Sequence, residues 1–171
     1  IHFIQADIYH LPFKESFFDF IFCIGVLHHL PSPEEGFREL LKMLKVGGGI
    51  LIYVYHSFSY KHFNFYLLNL VNFFRNITVK LTHKLLYILC YPIAIMSYLI
   101  LVLPYKFLFR KIVKTGWPLA SYADYSFFVM LNDTFDRFSA PIENRYSQEE
   151  IIAWYERAKL KNIKILGGSG W

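Results

Sequence analysis

Residues 19–30 read DFIFCIGVLHHL, an apolar run that leads into a glycine and a pair of histidines. The five residues after the aspartate are apolar without alternation, which favours a strand covered on both faces, as in a parallel sheet. Ligands of open parallel sheets bind just beyond the carboxyl ends of the strands. Gly25, His28 and His29 are therefore predicted to lie at a binding edge.

A helix and a second strand are predicted to follow. Residues 32–35, SPEE, combine a serine N-cap, a proline at the first helical position and a glutamate at the third, which is the pattern of a capping box. One apolar face then follows at helical spacing: Phe37, Leu40, Leu41 and Leu44. We expect the glycines at 47–49 to end this helix and the apolar run 50–55 to form a second parallel strand. The three elements predict a right-handed βαβ unit.

Residues 1–55 resemble the second half of a class I S-adenosylmethionine (SAM)-dependent methyltransferase domain, and residues 132–166 show looser similarity. The resemblance depends on the order and spacing of short motifs: Asp7 with LPF at 11–13, Phe18-Asp19, VLHHL at 26–30, and Leu44-Lys45 before the glycines. It implies an α/β fold, a partial Rossmann-like doubly wound sheet with an apolar helical insertion. It also implies an upstream half that carries the glycine-rich cofactor loop, so we expect this chain to be a fragment that is inactive alone.

The resemblance further implies which residues contact SAM. The carboxylate of Asp7 would accept a hydrogen bond from the adenine amino group, and the backbone of Ile8 would contact the ring. Ile24 and Gly25 would lie beside the methionine portion, where a glycine allows close approach to the backbone. The alternatives are an aspartate that caps a turn and a glycine that only permits one.

The two histidines suggest either a metal site or a general base. No other histidine, cysteine or carboxylate lies at ligand spacing, and the H-E-x-x-H motif is absent, so we predict no metal. Imidazole titrates near neutral pH, and His29 is the better candidate for a catalytic base. The alternative is that one histidine packs under the following helix while the other lines the mouth of the pocket.

The middle of the chain is unusually apolar. Hydrophobic residues make up 55% of the whole sequence, residues 57–81 have a helical pattern, and residues 85–105 contain no charged side chain. Because Pro92 and Pro104 interrupt this run and basic residues flank both of its ends, we predict two short helices, broken near Pro92. They either lie in a membrane interface or enter the membrane shallowly and return. A hydrophobic lid or dimer surface and a true membrane span are the alternatives.

The charge of the chain also bears on its partners. A net charge of +5 suits an anionic membrane surface, contacted through residues 85–111, or an acidic substrate. We predict no nucleic-acid partner, because the basic residues form no dense stripe.

Cys23 and Cys90 lie in apolar runs and are expected to be buried thiols in a reducing compartment. The predicted location is the cytoplasm, peripheral on the inner face of the membrane, with the oligomeric state left open.

We divide the chain into residues 1–56 of the core, an insertion at 57–131, and a return to the core at 132–171. In the returning part, residues 147–150 form a second capping box before a helix, and residues 162–166 are predicted to be a strand.

Four charged residues, Asp133, Asp136, Glu143 and Arg145, are predicted to share the loop before that helix. Arg145 would bind a polar group of the substrate, and Asp133 would take its proton. The alternative is a loop held by its own ion pairs and caps.

The predicted activity is methyl transfer from SAM to a small acceptor that is hydrophobic or lipid-like. A nicotinamide-dependent oxidoreductase would share the sheet, but the motifs around Asp7 and His28-His29 resemble methyltransferases instead. The other alternative is a non-catalytic, membrane-associated binding or scaffold protein that has kept the fold.

Overall fold

The computed structural model describes residues 2–57, 63–113 and 117–166. The chain divides into two compact units. The sheet unit consists of Ile1–His62 and Ile142–Trp171, and the helical unit consists of Phe63–Pro141.

The sheet unit contains the predicted βαβ arrangement. Strand β1 (Phe18–Ile24) pairs in parallel with β2 (Leu44–Tyr53), and helix α1 (Pro33–Lys42) connects them. This mixed α/β architecture is the one expected for part of a Rossmann-like sheet. Helix α5 (Gln148–Arg157) completes the core of the unit. The buried core residues are Cys23, Leu27, Phe37, Ile52, Val54, Ile151 and Trp154.

The three glycines lie inside β2, so the prediction that they end the preceding helix was wrong. The register runs from Phe18 opposite Leu44 to Phe20 opposite Gly49, which gives β2 a bulge of three extra residues. Gly47 adopts a left-handed φ of 81°, and a Cβ on Gly48 would lie 2.8 Å from the backbone oxygen of Asp19. The glycines therefore allow the bulge and the close approach of the two strands.

Only one of the two predicted capping boxes forms. The Ser147 side chain accepts a hydrogen bond from the Glu150 amide, and the Glu150 carboxylate accepts one from the Ser147 amide, which confirms the second box. At α1 the Ser32 side chain makes no capping hydrogen bond, and its amide donates to the Tyr9 hydroxyl instead. The neighbouring Glu34, at the second helical position, pairs instead with two arginines, Arg38 and Arg157.

The strand predicted at residues 162–166 is absent from the described part of the chain. Residues 2–6 and 162–166 have no regular secondary structure. The only sheet in the described residues is the two-stranded pair of β1 and β2. An extended segment becomes a strand only when it has a partner for its backbone groups, so the apolar pattern alone overestimated the number of strands.

The helical unit is built around one long helix. Helix α3 (His83–Ser97) continues through π-helical turns at Tyr98–Val102 and Tyr105–Phe109, so that His83–Phe109 is helical throughout. Helix α2 (Phe63–Thr78) precedes it, a 3₁₀ turn (Ala120–Asp124) follows it, and α4 (Phe127–Ser139) packs against it.

The predicted break at Pro92 was wrong. Proline removes one helical hydrogen bond, but tertiary packing compensates for this loss here. Every fourth residue along one face of α3, namely Leu86, Cys90 and Ala94, is buried in a cluster with Leu131 of α4. Pro92 itself lies on the exposed side of the helix.

Helix α4 extends further along the chain than the predicted insertion. It runs to Ser139, across the predicted domain boundary between residues 131 and 132. Asp133 and Asp136 are therefore helical residues of the helical unit, whereas Glu143 and Arg145 belong to the sheet unit. The prediction that these four residues share one loop was wrong, because the apolar face of α4 extends through Phe135 and Phe138, which pack against α3.

Candidate functional site

Three segments of the sheet unit converge where the parallel strands end. After β1, Gly25 has a left-handed φ of 77° and donates its amide to the Tyr53 carbonyl, 3.2 Å away. A 3₁₀ turn (Leu27–His29) follows. The segment 142–146 lies against it, since the Asn144 amide donates to the His28 carbonyl (2.8 Å) and the Tyr146 amide donates to the Tyr55 carbonyl (3.0 Å).

His28 is fully buried at this convergence. Its ring stacks on Tyr55, with 4.1 Å between the ring centroids, and also contacts His29. Among the residues that the structure describes, neither ring nitrogen has a hydrogen-bond partner. Burial, followed by the charge of His29, lowers the His28 pKa to about 4. His28 is thus neutral at physiological pH and acts as a packed aromatic side chain.

His29 is partly exposed, and a short hydrogen bond orients its ring. Its Nδ1 lies 2.7 Å from the backbone oxygen of Ile142. A carbonyl oxygen only accepts, so Nδ1 carries the proton in the neutral ring and Nε2 keeps its lone pair. A ring in this tautomer can act as a general base through Nε2. One buried and one partly exposed histidine also agree with the alternative interpretation, in which one ring packs in the core and the other lines the pocket.

Arg145 is positioned by an ion pair inside the sheet unit. Its guanidinium donates to Glu143 Oε1 from Nη2 (2.7 Å) and Nε (3.1 Å), and it lies 4.9 Å from the centroid of the Tyr55 ring. Glu143 is almost fully buried, with 5% of its side chain exposed. The arginine is therefore a fixed cation beside Tyr55. The Arg145–Glu143 ion pair also agrees with the alternative interpretation from the sequence, in which ion pairs within the loop hold its shape.

Asp7 and Ile8 lie in a tight turn. Asp7 Oδ1 accepts the Tyr9 amide at 3.0 Å, and Oδ2 lies 3.3 Å from His10 Nδ1. The Tyr9 amide, and next the hydrogen bond from His10, lower the pKa of the exposed Asp7 carboxyl, which is therefore an ionised acceptor. Ile8 packs against the core, and its side chain, like those of Leu27 and Leu30, approaches the Cα side of Gly36. This packing brings the Asp7 turn close to the histidine turn.

The remaining predicted site residue, Asp133, is in the helical unit. Its Oδ2 accepts a hydrogen bond from the Tyr122 hydroxyl at 2.7 Å. The structure thus brings Ile8, Gly25, His29 and Arg145 into one region of the sheet unit and leaves Asp133 in a separate unit. In the described ranges, no group of three or more His, Cys, Asp or Glu side chains is arranged to hold a metal.

Sequence reasoning missed Tyr55 and Asn144 as site residues. Tyr55 stacks on His28 and lies under the Arg145 guanidinium, and its place at the end of the second apolar run was a signal that could have identified it. Asn144 ties the returning segment to the turn through its backbone and through Nδ2, which donates to the Leu30 carbonyl (3.1 Å). Nothing in the local sequence marks Asn144.

An apolar groove of about 730 Å³ runs along β2 in the sheet unit. Its walls are Phe20, Gly48–Tyr53 and residues 160–166, and Ile24 lies at its end. The groove follows the length of the strand, whereas the histidines, Tyr55 and Arg145 lie beyond the strand ends. Ile24 is the one predicted site residue among those that line it.

The first part of the chain, which carries the Asp7 turn and the histidine turn, is similar to known proteins. Residues 1–52 match the model of the methyltransferase domain family. Similar proteins include the tRNA U34 carboxymethyltransferase of Campylobacter curvus, 46% identical over 43 residues (25% of this chain and 14% of that protein). The sterol 24-C-methyltransferase of Schizosaccharomyces pombe is 35% identical over 51 residues (30% of this chain and 14% of that protein). No solved structure gives a significant match.

These matches confirm the resemblance found in the motifs: the segment 1–52 is similar to the methyltransferase domain. The aligned segments cover between 13% and 27% of the length of the first relatives matched. The chain therefore spans a minor part of the proteins to which it is similar.

The burial of His28 predicts a pH-dependent stability. Its ordinary pKa of 6.5 applies to the unfolded chain, and the folded value is about 4. Between these values the unfolded chain binds a proton that the folded chain does not. The contribution of His28 is therefore complete above pH 6.5 and is lost as the pH falls to about 4, by on the order of 3 kcal/mol.

Urea denaturation between pH 4 and pH 7 measures this loss. His28→Phe keeps the stacking on Tyr55 and should flatten the pH dependence, whereas His2→Phe, at an exposed histidine, should keep the slope of the wild type. Equal slopes for the wild type and His28→Phe would show that His28 does not change its protonation on unfolding.

Proposed function

We propose that the sheet unit forms one side of a SAM site in an enzyme that methylates a small acceptor of hydrophobic or lipid-like character. The observation that carries this proposal is the family match over residues 1–52, combined with the convergence of the Asp7 turn and the histidine turn at the ends of parallel strands. In open parallel sheets this edge is where ligands bind.

The residues present at this edge fit a nucleoside with a cationic sulfur. Asp7 offers an exposed, ionised carboxylate that suits an exocyclic amine. At Gly25 no atom lies within 4 Å of the place where a Cβ would stand, so a ligand has room to approach the backbone. Ile24 adds an exposed apolar side chain next to this glycine.

SAM supplies, when bound, an activated methyl group, so the protein has to align the acceptor and exclude water. His29 has the tautomer needed to take a proton at Nε2 from an acceptor hydroxyl or amine. Tyr55 and the buried His28 form the apolar wall behind it. Arg145, already paired with Glu143, is placed to orient a polar group of the acceptor.

The helical unit supports a hydrophobic acceptor and a location at a membrane. The helix His83–Phe109 is long and apolar enough to cross a membrane by length and composition, and little of it is buried. An acceptor dissolved in lipid would be reached most readily by an enzyme bound to the cytoplasmic face of the membrane, and this is the location we propose.

Asp7→Ala tests the cofactor site. In a protein that includes the upstream half implied by the family, the substitution should weaken SAM binding about tenfold or more, because it removes the acceptor for the adenine amino group. Calorimetric titration with SAM and with its demethylated product measures the effect.

Asp19→Ala is the matched control for this titration. Asp19 is also an exposed carboxylate, but it pairs with Lys45 at the start of β1 rather than beyond the carboxyl ends of the strands. Equal effects of the two substitutions would contradict the proposed role of Asp7. A folded protein that binds neither ligand would favour the non-catalytic scaffold.

His29→Gln tests the proposed base. Glutamine can keep the hydrogen bond to the Ile142 carbonyl but cannot take a proton, so kcat should fall by about 10²-fold or more while SAM affinity stays unchanged. Turnover with hydrophobic alcohols or phenols as acceptors measures this, with His2→Gln as the control at an exposed histidine. A fall in SAM affinity with an unchanged kcat would assign His29 to packing instead.

A further inference from the structure

The long helix of the helical unit is apolar on its outer face as well as on its packed face. Its inner face is the buried stripe that contacts α4. The opposite face exposes large apolar side chains over a length of about four turns: Leu85, Ile88, Leu89, Ile93, Met96, Leu99 and Ile100. A helix that is hydrophobic all round belongs in an apolar environment. Helix α2 adds Tyr66, Leu70, Phe73 and Phe74, which are also exposed.

The net positive charge of the chain lies in this unit. Residues 63–141 contain eight basic and three acidic side chains, so their formal charge equals the +5 of the whole chain, and the sheet unit contains ten of each sign. Lysines lie at both ends of the long helix, with Lys80 and Lys84 at one end and Lys106 and Lys111 at the other. In the described ranges these four lysines make no ion pair, whereas Arg110 is paired with Asp124. Two copies of such a surface would repel each other, whereas anionic lipid headgroups would attract it.

The connections of the helical unit restrict how it can meet a bilayer. The chain leaves the sheet unit after residue 62 and returns to it at residue 142. Within the sheet unit, the Tyr146 amide donates to the Tyr55 carbonyl, so the segments before and after the helical unit are bonded to each other. Both connections therefore start on the same side of a membrane, which requires an even number of crossings.

A second crossing is not available in the described residues. Only His83–Phe109 is long and apolar enough to cross. Helix α2 has 16 residues, so it rises about 24 Å, which is shorter than a hydrocarbon core of about 30 Å. It also carries Arg75 and several asparagines.

We infer that the helical unit is embedded in one leaflet of an anionic membrane, with the long helix lying at the boundary of headgroups and acyl chains and not crossing it. The lysines at both ends then contact phosphates of the same leaflet, and the outer apolar face of α3 enters the acyl region. This inference rests on the membrane contact proposed above and adds the topology and the lipid class.

The first experiment is flotation of the full chain with vesicles of phosphatidylcholine, with and without phosphatidylglycerol. The wild type should float with the anionic vesicles. Ile93→Asp on the outer face should lose flotation, while Val46→Asp, at a fully exposed position of the sheet unit, should retain it. Lys106→Gln combined with Lys111→Gln should weaken binding to the anionic vesicles about tenfold or more. No flotation of the folded wild type, or equal effects of Ile93→Asp and Val46→Asp, would overturn the inference.

The second experiment tests the topology with Lys80→Cys and Lys111→Cys. Sealed membrane vesicles of both orientations, prepared from bacterial cells that produce the protein, are treated with a maleimide that does not cross membranes. Both cysteines should react in the inside-out vesicles, and neither should react in the opposite orientation. Reaction of the two positions from opposite sides would show a span and overturn the inference. The native thiols, Cys23 and Cys90, are buried, so the wild type gives the background.

The two proposals fail separately in these tests. SAM binding is tested by comparing Asp7→Ala with Asp19→Ala, both in the sheet unit, and this titration needs no lipid. A protein that binds SAM but does not float loses the membrane inference alone, and a protein that floats but does not bind SAM loses the proposed enzyme alone.

Discussion

The sheet unit depends on one set of backbone hydrogen bonds between parts of the chain that are far apart in sequence. The segment at 142–146 pairs with the end of β2 through Tyr146, and its Asn144 amide donates to the histidine turn. These bonds return the chain to the sheet after the whole helical unit, and they allow α5 to cover the core with Ile151 and Trp154. Without this return, β1 and β2 would be a two-stranded sheet with one covering helix, too little for a stable core.

The same return creates the candidate site. It places the Ile142 carbonyl against His29 and the Arg145 guanidinium over Tyr55. A proton acceptor, an apolar wall and a fixed cation then lie beyond the ends of parallel strands. A distant segment thus contacts the turn 26–30, which is why the two histidines have different environments although they are neighbours.

The βαβ core could be predicted from the sequence because two apolar runs without alternation flank an amphipathic helix. The capping box at Ser147 was predicted for a similar reason, since its two hydrogen bonds involve neighbouring residues. The predictions failed where tertiary contacts decide the outcome. The glycines at 47–49 end a helix in most local contexts but here allow a bulge against Asp19, and Pro92 stays within a helix because α4 supports that turn. Asp7 and the histidine pair carry recognisable motifs, whereas Tyr55 and Asn144 act through partners that no local pattern reveals.

The central claim is that residues 142–146 fold together with the sheet, and native-state hydrogen exchange tests it most directly. The amides of Tyr146, Asn144 and Ser57 each donate to a backbone carbonyl across this junction. They should exchange with the same free energy of opening as core amides of β2 such as that of Ile52, and they should respond equally to urea. Exchange of these three amides at the rate of exposed groups, while β2 remains protected, would show that the returning segment is not part of the folded unit and would contradict the account.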